Sequence, residues 1–96
     1  MVHVTANIFI KEGKEDEFLA IAKELVEKTN ALDAGCVQYE LCQDVNNSGH
    51  FVMVEQWESG QALDDHMKAA HFTGLVPKIG PLTSKPDEIT ILKKLF

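Results

Sequence analysis

The 96 residues predict an α+β fold, a split βαβ chain with one antiparallel sheet, and three observations carry that prediction. Apolar residues alternate with period two over residues 2–10, 36–43 and 50–58, as half-buried strands require. They recur with period 3.6 after the first and third of these runs, as amphipathic helices require. Turn residues in Asp44-Val45-Asn46-Asn47-Ser48-Gly49 join the second and third runs as a hairpin. A last strand from residue 87 or 88 to 95 completes the order strand, helix, strand, strand, helix, strand, which is the ferredoxin-like order. No repeat, linker or low-complexity tract interrupts it, so residues 1–96 are read as a single domain.

The first strand carries Val2, Val4, Ala6, Ile8 and Ile10 on one face and His3, Thr5, Asn7 and Phe9 on the other. Lys11-Glu12-Gly13 turns the chain into a helix whose first turn holds Glu15, Asp16 and Glu17, where carboxylates meet the positive end of the dipole. Its buried stripe is Phe18, Ile21, Ala22, Leu25, Val26, Thr29 and Leu32, and Asp33-Ala34-Gly35 ends it. The third strand places Phe51, Met53, Glu55 and Trp57 on one face, so a carboxylate shares an apolar surface with an indole. Ser59 is the N-cap of a second helix whose Leu63, His66, Met67 and Ala70 form the inward stripe, with the imidazole among them. Residues 71–80 read as a turn of helix followed by loop, because Gly74 and Pro77 interrupt them, and Pro86 limits the final strand.

The charge is −6, and all nine cations are lysine, so the bidentate guanidinium forks that suit phosphate are missing and nucleic acid is not an expected partner. No apolar run approaches the ~20 residues of a membrane span, and the N-terminus lacks the basic start and apolar block of a secretion signal. A cytoplasmic protein is expected. Cys36 and Cys42 lie six positions apart on one strand, roughly 20 Å and beyond disulfide reach, and are read as reduced, buried thiols. The third strand is apolar on both faces, and helices cover only one side of a four-stranded sheet. A second copy of the chain is the simplest cover, so a homodimer with two sheets face to face is expected, the C-terminal strand or Phe96 reaching the partner.

His66 is the candidate base, since an imidazole titrates near neutral pH; the alternative is a core histidine satisfied by a backbone carbonyl or a carboxylate. Glu55 is expected to have a raised pKa if buried and unpaired; the alternatives are a pairing with Lys78 or with His66, the latter fixing the imidazole tautomer. His71 lies five positions after His66, about 140° around a continuous helix, which is not the one-face spacing of a helical zinc site, although a helix that ends near Ala70 lets both rings border one cavity. No metal is expected. Tyr39 and His3 face the same cavity if the strand register allows, and Asp64-Asp65 belong to the solvated side of their helix.

Gly35-Cys36-Val37-Gln38-Tyr39, the run Glu55-Gln56-Trp57-Glu58-Ser59, His66, and Ala69-Ala70-His71-Phe72 together resemble the antibiotic biosynthesis monooxygenase (ABM) domain family over nearly the whole chain. The family includes small quinol monooxygenases. The resemblance implies a dimeric α+β barrel with a pocket in each subunit between helices and sheet. It also implies chemistry without flavin, haem or metal, in which a dihydroxyaromatic loses a proton and its anion reduces dioxygen. Its implied catalytic residues here are His66, Asn7 and Trp57, with His71, Glu55, Met53, Tyr39 and Phe72 binding substrate. A tryptophan on the strand and a histidine in its place on the helix depart from the haem-degrading relatives. The expected activity is a cofactor-independent monooxygenase of small aromatic quinols or polycyclic phenols. The alternatives are an isomerase of small carbonyl compounds on the same fold and a non-catalytic small-molecule-binding dimer.

Overall fold

The computed structural model describes residues 1–96. Its elements are β1 (Val2–Phe9), α1 (Glu15–Leu32), β2 (Cys36–Gln43), β3 (His50–Trp57), α2 (Gly60–Lys68), α3 (Ala70–Ile79), a short 3-10 turn (Gly80–Leu82) and β4 (Glu88–Lys93). The strands form one antiparallel sheet in the order β2-β3-β1-β4. This is the ferredoxin-like α+β fold read from the sequence.

Period-two patterning fixes which face is covered. Val4 pairs with Glu55 and Ile91, and Ala6 with Met53 and Ile89, so these side chains share the face that the helices pack on. Val4, Ile8, Phe51, Met53 and Trp57 are buried there with Phe18, Ala22 and Leu25 of α1. Burying one such large side chain contributes roughly 1.5–3 kcal/mol. The opposite face, with His3, Thr5, Asn7, Phe9, Val52 and Val54, has no helix over it.

Three local expectations are corrected. Residues 70–79 form a continuous helix through Gly74 and Pro77; the proline forgoes its N–H bond and crowds the carbonyl one turn earlier, and burial of Leu75 and Ile79 on either side of it offsets that cost. Leu32, the last residue of α1, is exposed rather than on the buried stripe, which ends at Thr29. Ala70 is exposed because α2 stops at Lys68 and position 70 already belongs to α3, while Met67 lines the space beneath the helices with Leu63 and His66 although it is 41% exposed.

Candidate active site

A cavity of about 370 Å³ lies between the covered face of the sheet and helices α2 and α3. Val4, Ala6, Tyr39, Met53 and Glu55 form its floor, and Leu63, His66, Phe72, Val76 and Ile79 its walls. Ile89 and Ile91 of β4 also line it, yet they are 62% and 61% exposed. The helices stop short of β4, so the cavity opens over that edge strand. Its polar lining is confined to Tyr39, Glu55, His66, Thr83 and Asp87, and no lysine reaches it.

His66 is set in place by a break between two helices. The Ser59 hydroxyl accepts from the Ala62 N–H at 3.1 Å and starts α2, as its residue type predicts. Ala69, with extended backbone, then ends α2 and begins α3. This corner defeats the continuous-helix geometry that kept His66 and His71 apart: their ring centroids are 6.1 Å from each other. Both rings meet Asp33, the C-cap of α1. His66 Nδ1 donates to Asp33 Oδ2 at 2.5 Å. His71 Nε2 lies 3.0 Å from Asp33 Oδ1, an ion-pair distance, but is angled away and makes no hydrogen bond. The side chains of His66, Asp33 and His71 are 2%, 8% and 6% exposed.

With its Nδ1 proton committed to Asp33, neutral His66 carries its lone pair on Nε2, which has no protein partner and belongs to the cavity wall. Burial pushes the His66 pKa below its ordinary value, and Asp33 offsets only part of that shift. The ring is enclosed by Trp57 at 4.6 Å, Phe72 edge-on at 4.9 Å and Tyr39 at 5.1 Å between centroids.

Glu55 pairs with neither Lys78 nor His66. Its Oε1 accepts from Trp57 Nε1 at 3.0 Å, two residues along the same strand face. Lys78 is exposed on the outer side of α3 and cannot reach it. Burial raises the Glu55 pKa to about 7, against the weaker opposing effect of the Trp57 hydrogen bond. Trp57 is fully buried and does not line the cavity, so its N–H orients Glu55 rather than a ligand. Tyr39, the cross-strand neighbour of Glu55, lines the cavity, and burial followed by Glu55 holds its phenol above the usual range.

Met53, Tyr39, Glu55, His66 and Phe72 thus converge on one cavity. Asn7 does not. Its position in β1 turns it to the uncovered face, where its Oδ1 lies 2.8 Å from His50 Nε2, within hydrogen-bond reach, and its Nδ2 donates to the Glu88 carbonyl at 3.4 Å. His3 shares that face, by the same alternation. His71 sits behind His66, beside a shallow outer groove with Lys28 and Lys78. Of the two free thiols, Cys42 is exposed rather than buried. The Cys36 pKa is raised by burial, Asp33 and Glu55, which keeps the thiol protonated and poorly nucleophilic at neutral pH.

The residue missed in the sequence is Asp33, read there only as a helix breaker. A signal was present: a carboxylate at a helix C-terminus faces the negative end of the dipole and needs compensation from elsewhere. The His66 N–H provides it.

The match to the family model described as antibiotic biosynthesis monooxygenase spans residues 1–78. YcnE of Bacillus subtilis, provisionally named a monooxygenase, is 37% identical over 89 residues, 93% of each chain. The Synechocystis protein sll1783 is 33% identical over 90 residues, 94% of this chain but 60% of that protein. The chain therefore spans less than two thirds of that relative's length. The crystal structure of an antibiotic biosynthesis monooxygenase superposes with a TM-score of 0.94 at 37% identity, covering 99% of both chains. A conserved protein from Methanosarcina mazei gives 0.94 at 31% identity, covering 98% of this chain and 92% of that one. Sequence and shape agree, and the chain belongs to the antibiotic biosynthesis monooxygenase family.

Proposed function

We propose that the protein is a cofactor-independent monooxygenase of small aromatic quinols or polycyclic phenols. The observation that carries this reading is the unpartnered Nε2 of His66 on the wall of an apolar cavity, with the ring held from behind by buried Asp33. The cavity volume falls in the ~300–1,000 Å³ range of small-molecule sites, which favours a ligand over a filled barrel. The lack of a lysine in its lining favours an uncharged aromatic over a phosphorylated one.

In this reading His66 Nε2 takes the proton of a substrate hydroxyl, and Asp33 stabilises the imidazolium. The resulting anion passes one electron to dioxygen, and the superoxide and substrate radical combine to form a C–O bond. The peroxide takes back the proton from His66. Cleavage of the O–O bond, with loss of the hydrogen on the oxygenated carbon, leaves a carbonyl and releases water. One oxygen atom stays on the product, and the substrate supplies all the electrons. The neutral form of Glu55 and the Tyr39 hydroxyl are the donors for the developing oxyanion, so Trp57 acts through Glu55 and His71 through Asp33.

A homodimer is part of the proposal, because the uncovered face keeps Val52 and Val54 only half-buried and the C-terminal Leu95 and Phe96 exposed. Two acid–base groups, Glu55 and His66, on one cavity also suit a proton-shuttling isomerase of small carbonyl compounds. Oxygen uptake separates the two. With chelator-treated protein and a panel of naphthoquinols and anthrones, uptake above autoxidation is expected, falling at least ~100-fold in His66→Ala. Uptake equal to autoxidation across the panel would overturn the oxygenase reading, and full turnover by His66→Ala would remove His66 as base.

A further inference from the structure

We propose that Asp33, His66 and His71 form a three-ligand site for a first-row divalent cation of the zinc class, on the Nδ1 side of His66. Two imidazoles and a carboxylate are a donor set that suits Zn²⁺ and its neighbours. Each comes from a different element, the end of α1, α2 and the start of α3, and their ligand atoms all lie within 4.8 Å of one another.

Two further features point to a cation rather than to a simple hydrogen-bonded cluster. His71 Nε2 is buried and makes no hydrogen bond, though the Asp33 carboxylate is 3.0 Å away. A buried ring nitrogen without a hydrogen bond, on a side chain only 6% exposed, is costly, and in the tautomer that leaves its lone pair free a cation would satisfy it. The aromatic shell of Trp57, Tyr39 and Phe72 around His66 also excludes water from one side of the cluster. Metal–nitrogen and metal–oxygen bonds of ~2.0–2.2 Å place ligand atoms ~3.0–3.5 Å apart. The Asp33–His66 contact at 2.5 Å must therefore open, and the widest separation of 4.8 Å must close.

The other histidine–carboxylate pair, His50 with Asp44, has a single imidazole, and its side chains are 21% and 33% exposed. It offers no such set. Occupancy of the proposed site has a consequence that rests on His66 being the base. A cation on Nδ1 forces the remaining ring proton onto Nε2, so the cavity meets a donor in place of an acceptor. The cation would be an inhibitor, bound behind the reacting nitrogen and not beside the substrate.

The test titrates the chelator-stripped full chain with Co²⁺ and follows the visible d–d absorption of a low-coordinate site. One ion per chain, displaced by Zn²⁺, is expected, with binding weakened at least ~100-fold in His71→Gln and unchanged in His50→Gln. On the unsubstituted protein, histidine ring ¹⁵N spectra read the same site without any change of fold, and Zn²⁺ is expected to move the His66 and His71 signals alone. Absence of a d–d band, a band that survives His71→Gln, or Zn²⁺ shifts confined to His3 or His50 each overturn the site. Stoichiometric binding that leaves quinol-dependent oxygen uptake untouched would keep the site and remove His66 as the base.

Discussion

Each face of the sheet carries a histidine whose Nδ1 is bonded to a carboxylate, His66 to Asp33 on the covered face and His50 to Asp44 on the uncovered one. The geometries are alike, at 2.5 Å and 2.9 Å. The second nitrogen separates them. His50 Nε2 bonds to Asn7 Oδ1 while the ring stacks on Phe9 at 4.7 Å, which leaves nothing for a ligand. His66 Nε2 has no protein partner and belongs to an apolar cavity. A histidine–carboxylate pair becomes a reagent only when one ring nitrogen is left over in a place that water does not dominate. Asp44 shows the other limit: hydrogen bonds from His50 and the Asn46 N–H lower its pKa at the surface, and its role is to shape the hairpin.

The comparison can be broken first at Glu55, the other titratable group of the covered face. Its folded-state pKa of about 7 lies above the ordinary 4.5, so the folded protein binds that proton more tightly than the unfolded chain. The associated stability is fully present below pH ~4.5 and is lost as pH rises through about 7, a change on the order of 3 kcal/mol. Urea denaturation across that window is expected to show the decline in the parent protein and a flatter profile in Glu55→Gln. Glu40→Gln, exposed on the opposite side, is expected to leave the slope as it was. Equal slopes in all three proteins would mean that Glu55 is not desolvated.

Removing each carboxylate sharpens the comparison further. Asp33→Ala strands the buried His66 donor, and a loss of about 2 kcal/mol is expected from the denaturant midpoint. Asp44→Ala exposes its partner to water and removes the turn bond to the Asn46 N–H, and is expected to cost about 0.5–1 kcal/mol, clearly less than Asp33→Ala. A similar loss in both variants would show that burial is not what distinguishes the two pairs.

The smallest effect concerns how Asp33 is delivered. Gly35, two residues on, has φ +81°, and a Cβ there would meet Ala62 Cβ of α2 at 2.7 Å. Gly13 has φ +88° with open space around it. Alanine at either site incurs the left-handed strain of ~1–2 kcal/mol, so thermal unfolding is expected to show Gly35→Ala lower than Gly13→Ala by about 1 kcal/mol more, for the displaced helix contact. Equal losses would mean that α2 can move away from the turn without consequence for the site.

The pattern of legible and illegible features follows from the range of each interaction. Strand faces were readable because alternation is local, and it grouped Met53 and Glu55 with Phe51 and Trp57 on one face of β3, whereas only the register decides that Tyr39 joins that face and His3 does not. Asn7 fails the same test: its alternation placed it opposite Val4 and Ala6, while the family resemblance drew it into the pocket, and the local pattern prevailed. Trp57 was placed on the correct face, but only packing decides that the indole lies beneath Glu55 rather than beside the cavity. The spacing of His66 and His71 excluded a one-face helical pair, but only the corner at Ala69 decides that both rings turn toward Asp33.

By itself the sequence determined the element order, the covered face, the cap at Ser59, the absence of any arginine and the family. These depend on periodicity, residue type and near neighbours along the chain. Only the tertiary structure decided that Asp33 meets His66 across 33 positions and His71 beyond it, that Glu55 bonds Trp57 instead of a cation, and that the cavity opens over β4. The physical reason is that a turn after α1 and a corner after α2 converge in space through side-chain packing, and no spacing in the chain records that convergence.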